Sequence, residues 1–175
     1  MILKKICAWC LCDLDGISDP NAEISHGICE DCAGNHFNIK AERSSFQEFI
    51  DRFSAPLLVV DEDVVAMAAN TSAQNLLGKA ADKFAGFRGG EIMECLYARN
   101  PGGCGRDQHC KACAIRSAVE GTHSDGKPRE RVECYQKVFV EKSAPLKMKL
   151  WVSTEKVGDF VLLRIDGSSK DGEAA

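Results

Sequence analysis

Long apolar runs are missing from this chain. No stretch approaches the roughly 18–20 apolar residues of a membrane span. The opening residues, MILKKICAWCLC, carry two lysines and a short apolar run interrupted by cysteine. A secretory signal needs a longer apolar region and a small-residue cleavage site. The expectation is a cytoplasmic protein with no membrane partner. Positive charge is also scarce, with 22 Lys and Arg against 26 Asp and Glu and a net charge of −4. That balance gives no reason to expect strong binding to nucleic acid. Catalytic patterns are absent too: there is no Ser/His/Asp arrangement, phosphate-binding glycine loop or kinase motif, so no enzyme is expected.

What remains is a chain of 175 residues with 45% hydrophobic and 27% charged content. This suits a globular domain with a real core and a small appendage. Against that ordinary background stand ten cysteines. Disulfides are rare in a reducing compartment, so clustered cysteines point to metal or redox chemistry. Five fall in the first 32 residues (Cys7, Cys10, Cys12, Cys29, Cys32), four fall at Cys95, Cys104, Cys110 and Cys113, and Cys134 stands alone.

Residues 1–40 hold two CxxC knuckles, Cys7–Cys10 and Cys29–Cys32, with 18 residues between them. This is the spacing of a tetrahedral four-cysteine zinc site. So short a segment buries little core, and metal binding would supply most of its folding energy. Cys12 or His26 could replace one ligand. Three lysines (Lys4, Lys5, Lys40) against six acids (Asp13, Asp15, Asp19, Glu23, Glu30, Asp31) argue against phosphate contacts, and for a structural or protein-contact role.

The second cluster lies in ECLYARNPGGCGRDQHCKAC, where the four cysteines are separated by eight, five and two residues. The Pro-Gly-Gly turn lets the loop fold back so that the thiols converge. Three occupants stay open on the residues alone: structural zinc, an iron–sulfur cluster, or no metal and a thiol–disulfide switch. His109 precedes Cys110 directly and is read as lying beside the metal or at the surface. Arg99, Arg106, Lys111 and Arg116 outnumber Glu94 and Asp107 and would form a basic collar around a thiolate site. Cys134 shares its strand parity with apolar residues and reads as a buried small hydrophobe.

Residues 44–53 place Phe46, Phe49, Ile50 and Phe53 on one helix face, with Ser44 and Gln47 spaced as a capping box. That face would pack on the domain's own sheet or on a second copy. Leu57–Val60 and Val64–Ala69 flank Asp61-Glu62-Asp63 as a hairpin. Thr71–Leu77 predicts a short helix stopped by Gly78. A helical stretch over 80–87 and a turn at 91–97 follow, and a helix over 111–120 is expected to end at Gly121. Strands at 132–140, 146–152 and 160–165 complete the order, with a turn at 156–159. Two strands, several short helices and three strands make an α+β domain with helices on one face of an antiparallel sheet. The tail from 168 to 175 is Ser-, Gly- and charge-rich and is expected to be disordered.

That order, together with the lead helix FQEFIDRF, then APLLVVDED, then Asn70-x-x-Ala73-x-x-Leu76-Leu77-Gly78, resembles a PAS domain. The resemblance spans about residues 45–167, with the domain taken as 41–167, and implies a five-stranded antiparallel sheet cupped by short helices. It also implies a sensory or interaction role. The cysteine loop, 95–113, becomes an insertion at the ligand-facing wall, and Cys110 and Cys113 would sit at the positive end of the following helix. The two N-terminal knuckles are similar to a small zinc-ribbon-like module ahead of such domains. A photoreceptive flavin does not fit, since Cys95 lacks the flanking Asn, Arg and Gln of that motif. Covalent haem does not fit either, because no CxxC is followed by His.

The expected function is therefore signal transduction: redox state, oxygen or a small ligand sensed through the four-cysteine loop and passed to a kinase, a regulator or a second copy through the helix at 44–53. The rival expectation is a non-sensing adaptor with two structural zinc sites. The ligand-pocket residues are not named by the sequence.

Overall fold

The computed structural model describes residues 3–8, 10–29, 31–32 and 43–170. Residues 33–40 at the end of the expected first module, the Ser44 side chain of the expected capping box, and tail residues 171–175 lie outside the described residues. The chain divides into two units, residues 1–54 and 55–175.

In the first unit, β1 (Leu3–Cys7) pairs in parallel with β2 (Glu23–Gly27), from Leu3 opposite Glu23 to Cys7 opposite Gly27. After β1 the chain reverses at once. Leu11 N–H bonds to the Cys7 carbonyl at 2.9 Å and Leu14 N–H to that of Lys5 at 2.9 Å. Leu11 takes a left-handed φ of 59° to close this turn. A Lys4–Asp13 ion pair at 3.0 Å lies across it. Helix α1 (Arg43–Ile50) follows, with Phe49 edge-on to Phe53 at 5.4 Å. Phe49, Ile50 and Phe53 of the expected apolar face are buried, and Phe46 is half-buried.

The second unit begins with the hairpin of β3 (Leu57–Val60) and β4 (Ala66–Ala69). All four residues of β3 are buried, consistent with an unbroken apolar run rather than an alternating one. The acidic stretch between them is the expected turn. The Asp61 carboxylate accepts from the N–H of Asp63 and of Val65, each at 2.9 Å. The second strand starts later than expected, at Ala66, because Val64 lies at φ 63°, outside the extended region of a regular strand. Helix α2 (Thr71–Leu77) starts at Asn70 and ends at Gly78, φ 62°, as read from the sequence.

The 80–87 stretch is a 3-10 turn at Ala81–Lys83 that delivers Phe84, fully buried, to the core. Gly89 and Gly90 then open helix α3 (Gly89–Ile92), whose Glu91 carboxylate accepts from the Arg88 N–H at 2.8 Å. Two 3-10 turns, Leu96–Arg99 and Gln108–Ala112, carry the cysteine loop. The helix expected at 111–120 is α4, Ala114–Asp125. Cys113 is extended (φ −73°, ψ 112°) and delays its start. Gly126, φ 71°, supplies the left-handed stop. Gly121 does not end the helix. It lies inside α4 against the Arg129 guanidinium, where a Cβ would come within 2.7 Å of a nitrogen.

Strands β5 (Arg129–Val138), β6 (Leu146–Val157) and β7 (Phe160–Lys170) complete one antiparallel sheet in the order β4-β3-β7-β6-β5. β7 extends through Gly167 to Lys170, so the first three residues of the expected tail are strand. The core joins Leu58, Val60, Val152, Val161 and Leu163 of the sheet to Phe84, Ile92, Ile115 and Val119 of the helical segments. No helix among the described residues is long and apolar enough to cross a membrane.

Asn70 is fully buried. Its Oδ1 accepts from the N–H of Leu57 and of Ala73, both at 2.9 Å, and its Nδ2 donates to the Ala55 carbonyl at 2.9 Å. Asn70→Ala removes a helix cap and strands buried backbone partners, so it should destabilise the chain by about 3 kcal/mol. Denaturant unfolding measures this, and a loss under about 1 kcal/mol would mean the partners find other bonds.

Candidate functional site

The two cysteine clusters are built differently. In the first unit, Cys7 ends β1, Cys10 lies in the reversal after it, and Cys29 and Cys32 follow β2. The parallel pairing of Cys7 with Gly27 therefore brings the two knuckles to one end of the ribbon. The sulfurs of Cys7, Cys10, Cys29 and Cys32 all lie within 4.8 Å of one another. Those of Cys10 and Cys29 are 3.7 Å apart. Four thiolates about 2.3 Å from one tetrahedral ion stand about 3.8 Å from each other, so this set could hold a single metal ion. The N–H of Cys32 donates to the Cys29 sulfur at 3.4 Å. Cys12, one of the two possible replacement ligands, is a hydrogen-bonding neighbour instead. Its backbone N–H, then its thiol, donate to the Cys10 sulfur, holding Cys10 below its ordinary pKa and pushing Cys12 up to about 12. His26 on β2, the other, is not part of the four-sulfur group.

Chelation, or the change Cys29→Ser, should release about one metal ion per chain and expose the amides of 4–7 and 24–27 to hydrogen exchange. Unchanged protection after metal loss would mean that the sulfurs do not organise β1 and β2.

In the second unit the loop is tied to the sheet at its start. Cys95 bridges to Val138 of β5, the Phe139 N–H donates to the Glu94 carbonyl at 2.8 Å, and the Gln136 amide donates to the Met93 carbonyl at 2.9 Å. Its middle is clamped from above. Arg88 donates to the Cys104 carbonyl at 3.3 Å, and the guanidiniums of Arg88 and Arg116 flank Gly105, where φ is 87° and a side chain would collide with both. Arg116 in turn pairs with Asp63 at 3.3 Å and with Glu120 at 2.5 Å. At the far end Asp107 gathers the Asn100 amide at 2.7 Å, the His109 N–H at 2.9 Å and the His109 ring at 2.6 Å, which together hold its carboxyl down near 2. The His109 ring stacks on Tyr97 with centroids 4.0 Å apart.

These ties place Cys95, Cys104, Cys110 and Cys113 around one cavity of about 120 Å³, with Cys134 of β5 also in its wall. Unlike the first set, these cysteines do not form a group with ligand atoms all within 4.8 Å. Burial pushes the Cys95 and Cys104 thiols up, while nearby backbone N–H groups, those of Tyr97 and Ala98 for Cys95 and of Gly90 for Cys104, pull the other way. The Gly105 N–H donates to the Cys110 sulfur at 3.2 Å.

Two sequence expectations change here. Cys113 is the residue before α4, but Cys110 sits in the preceding 3-10 turn, so only Cys113 meets the helix N-terminus. The basic collar is partly neutralised: Arg99 pairs with Glu94 at 3.3 Å and lies over the Phe139 ring, and Arg116 is held by Asp63 and Glu120. Cys134 is buried as expected, yet it also faces the thiol cavity, which its strand parity could not reveal. The Asp107–His109 spacing was a readable signal for a local turn. The Arg88 clamp was not readable, because its partner is 16 residues away.

A second cavity of about 290 Å³ lies among Leu76, Met93, Val138, Leu146, Met148 and Ile165, an apolar space between α2 and the β5–β7 end of the sheet.

Burial raises the Cys134 thiol to about 12, with Cys113 and Glu133 adding to the shift. Alkylation of the native chain followed by peptide mapping should therefore leave Cys134 unmodified until denaturant is added. Early labelling would show that the cavity opens freely to solvent.

No family model matches the chain, and no curated protein does. Among solved structures the chain is similar to a domain of the sensory box sensor histidine kinase/response regulator from Geobacter sulfurreducens. Identity is 14% over 75% of this chain and 98% of that one, with a TM-score of 0.44. It is also similar to the photoactive yellow protein domain of a sensor histidine kinase from Rhodospirillum centenum, at 13% identity over 69% and 92% with a TM-score of 0.41. The PAS domain of nitrogen regulation protein NR(II) from Vibrio parahaemolyticus gives 12% identity over 69% and 94%, TM-score 0.42. The second unit is PAS-like in its five-stranded antiparallel sheet and short helices, with the four close cysteines lying ahead of it.

Proposed function

We propose that this chain is a signal-transduction sensor whose input site is the thiol cavity of the second unit. One observation carries the reading: four cysteines from three stretches of one loop, none in a disulfide, converge on one cavity whose walls are also the sheet and α4. Redox state, oxygen or a small ligand acts there, through a metal or iron–sulfur site held by Cys95, Cys104, Cys110 and Cys113. The N-terminal set, Cys7, Cys10, Cys29 and Cys32, holds zinc with a structural role.

The ties at the loop give a route outward. A change at Cys104 or Cys110 pulls on Gly105, and through Arg88 and Arg116 on Asp63 in the β3–β4 turn. A change at Cys95 pulls on β5. The signal is a shift between two arrangements of the loop, presented to a partner such as a kinase or regulator. Phe49 and Ile50 of α1, and Phe53 just beyond it, are buried in the chain, which favours such a partner over a second copy docking on that helix. The reading assigns no catalysis.

Hydrogen exchange of the full chain, purified without oxygen and then treated with air or peroxide, tests this. Protection should fall at 95–113, the start of α4 and the β3–β4 turn. If exchange there is unchanged while the loop cysteines are oxidised, the chain is better described as an adaptor with two structural metal sites.

A further inference from the structure

The two cysteine quartets of this chain serve as each other's control. Both are sets of free thiols, but they are spaced for different occupants. Around one ion, four thiolates crowd to about 3.8 Å from each other, and the N-terminal sulfurs meet that demand. The loop sulfurs do not form such a group, although all four cysteines line one cavity of about 120 Å³. For a single ion that interior space is a defect. In a cluster the thiolates are shared among several irons, so they stand further apart, and bridging sulfides fill the space between them.

Accepting the cavity as the input site, we infer that Cys95, Cys104, Cys110 and Cys113 ligate a polynuclear iron–sulfur cluster, while the N-terminal quartet takes one zinc ion. Three further features of the cavity agree. The first is hydrogen bonding to sulfur: the Gly105 N–H donates to the Cys110 sulfur at 3.2 Å. Such bonds offset the charge of about −2 that an oxidised two- or four-iron cluster with four thiolates carries, and they tune its potential. The second is the wall itself. Met93 and Ile115 are apolar and shield bridging sulfide from water, while Lys137 supplies a cation of the matching sign. The third is the room made for the ligand. Gly90 lies in α3, where any residue fits the backbone, yet a Cβ there would sit 2.7 Å from the Cys104 sulfur. The absent side chain at Gly90 serves the cysteine rather than the helix.

The full chain, purified without oxygen or reconstituted with ferrous iron and sulfide, should contain iron and acid-labile sulfide in equal number, at least about two of each, with about one zinc. It should also show a broad visible absorption. Cys104→Ser should lower iron and sulfide about tenfold or more and leave zinc unchanged, and Cys29→Ser should do the reverse. Gly90→Ala should lose iron about tenfold although its metal-free form unfolds at no lower temperature than the metal-free parent, which separates a spoiled site from a misfolded chain. About two zinc ions with no iron, or iron retained in Cys104→Ser, would overturn the inference.

The outcomes separate from those of the sensor reading. Zinc in the loop with an oxidant-sensitive exchange pattern removes the cluster and keeps the sensor. A cluster whose oxidation leaves exchange unchanged removes the sensor and keeps the cluster.

Discussion

The side chain of Asn70 is the constraint from which the second unit is built. One buried amide satisfies the first N–H of β3, the Ala55 carbonyl before it and the N–H of Ala73 in α2. A single residue thus fixes where the first strand begins and where the first helix leaves the sheet. No isosteric apolar side chain can replace it, since the three backbone groups would be left without partners in a dry interior. Once β3 is placed, its pairing with both β4 and β7 brings the last strand of this unit beside its first. The helical segments between β4 and β5 then have one face of the sheet to cover.

The cysteine loop depends on that frame without being part of its core. It is held at Cys95 by the β5 edge, at Cys104 and Gly105 by two arginines, and near Cys110 by the Asp107 hub. Between these ties it contains left-handed glycines at 102, 103 and 105 and only 3-10 turns. Segments of this kind have little cooperative structure of their own and open at low free energy. A loop anchored at defined points but soft between them is suited to having two arrangements, which a uniformly rigid or a free loop is not.

Much of the frame was legible in the sequence because the signals there are local. The Asp61 turn and the Gly78 stop each act within a few residues, and the structure shows both. Gly121 was misread: it looked like a helix end, but a helix interior tolerates glycine when a long side chain such as Arg129 must lie across it. Gly89 and Gly90 open α3, where the Glu91 carboxylate accepts from the Arg88 N–H and a Cβ at Gly90 would crowd Cys104. The site was half legible. Cysteine spacing named the four loop residues, but the fifth thiol, Cys134, reaches the cavity only through strand pairing, and the arginine clamp only through tertiary contact.

The same lesson bears on what separates the two quartets. Residue counting alone favoured the N-terminal pairs as the stricter metal motif, because CxxC twice at ribbon spacing leaves little geometric freedom. The loop, with one CxxC and two single cysteines, looked like a looser version of the same thing. In three dimensions the looseness has a physical source: each single cysteine is carried by its own anchored turn, Cys95 by β5 and Cys104 by Arg88. Sulfurs mounted on independent supports can stand apart around a volume, whereas two knuckles at one end of a two-stranded ribbon collapse onto a point. Ligand type is identical in the two places, so any difference in what they bind must come from the scaffold. The scaffold around the loop is also the one tied to the sheet, so the positions of those sulfurs and of the β5 edge are set together.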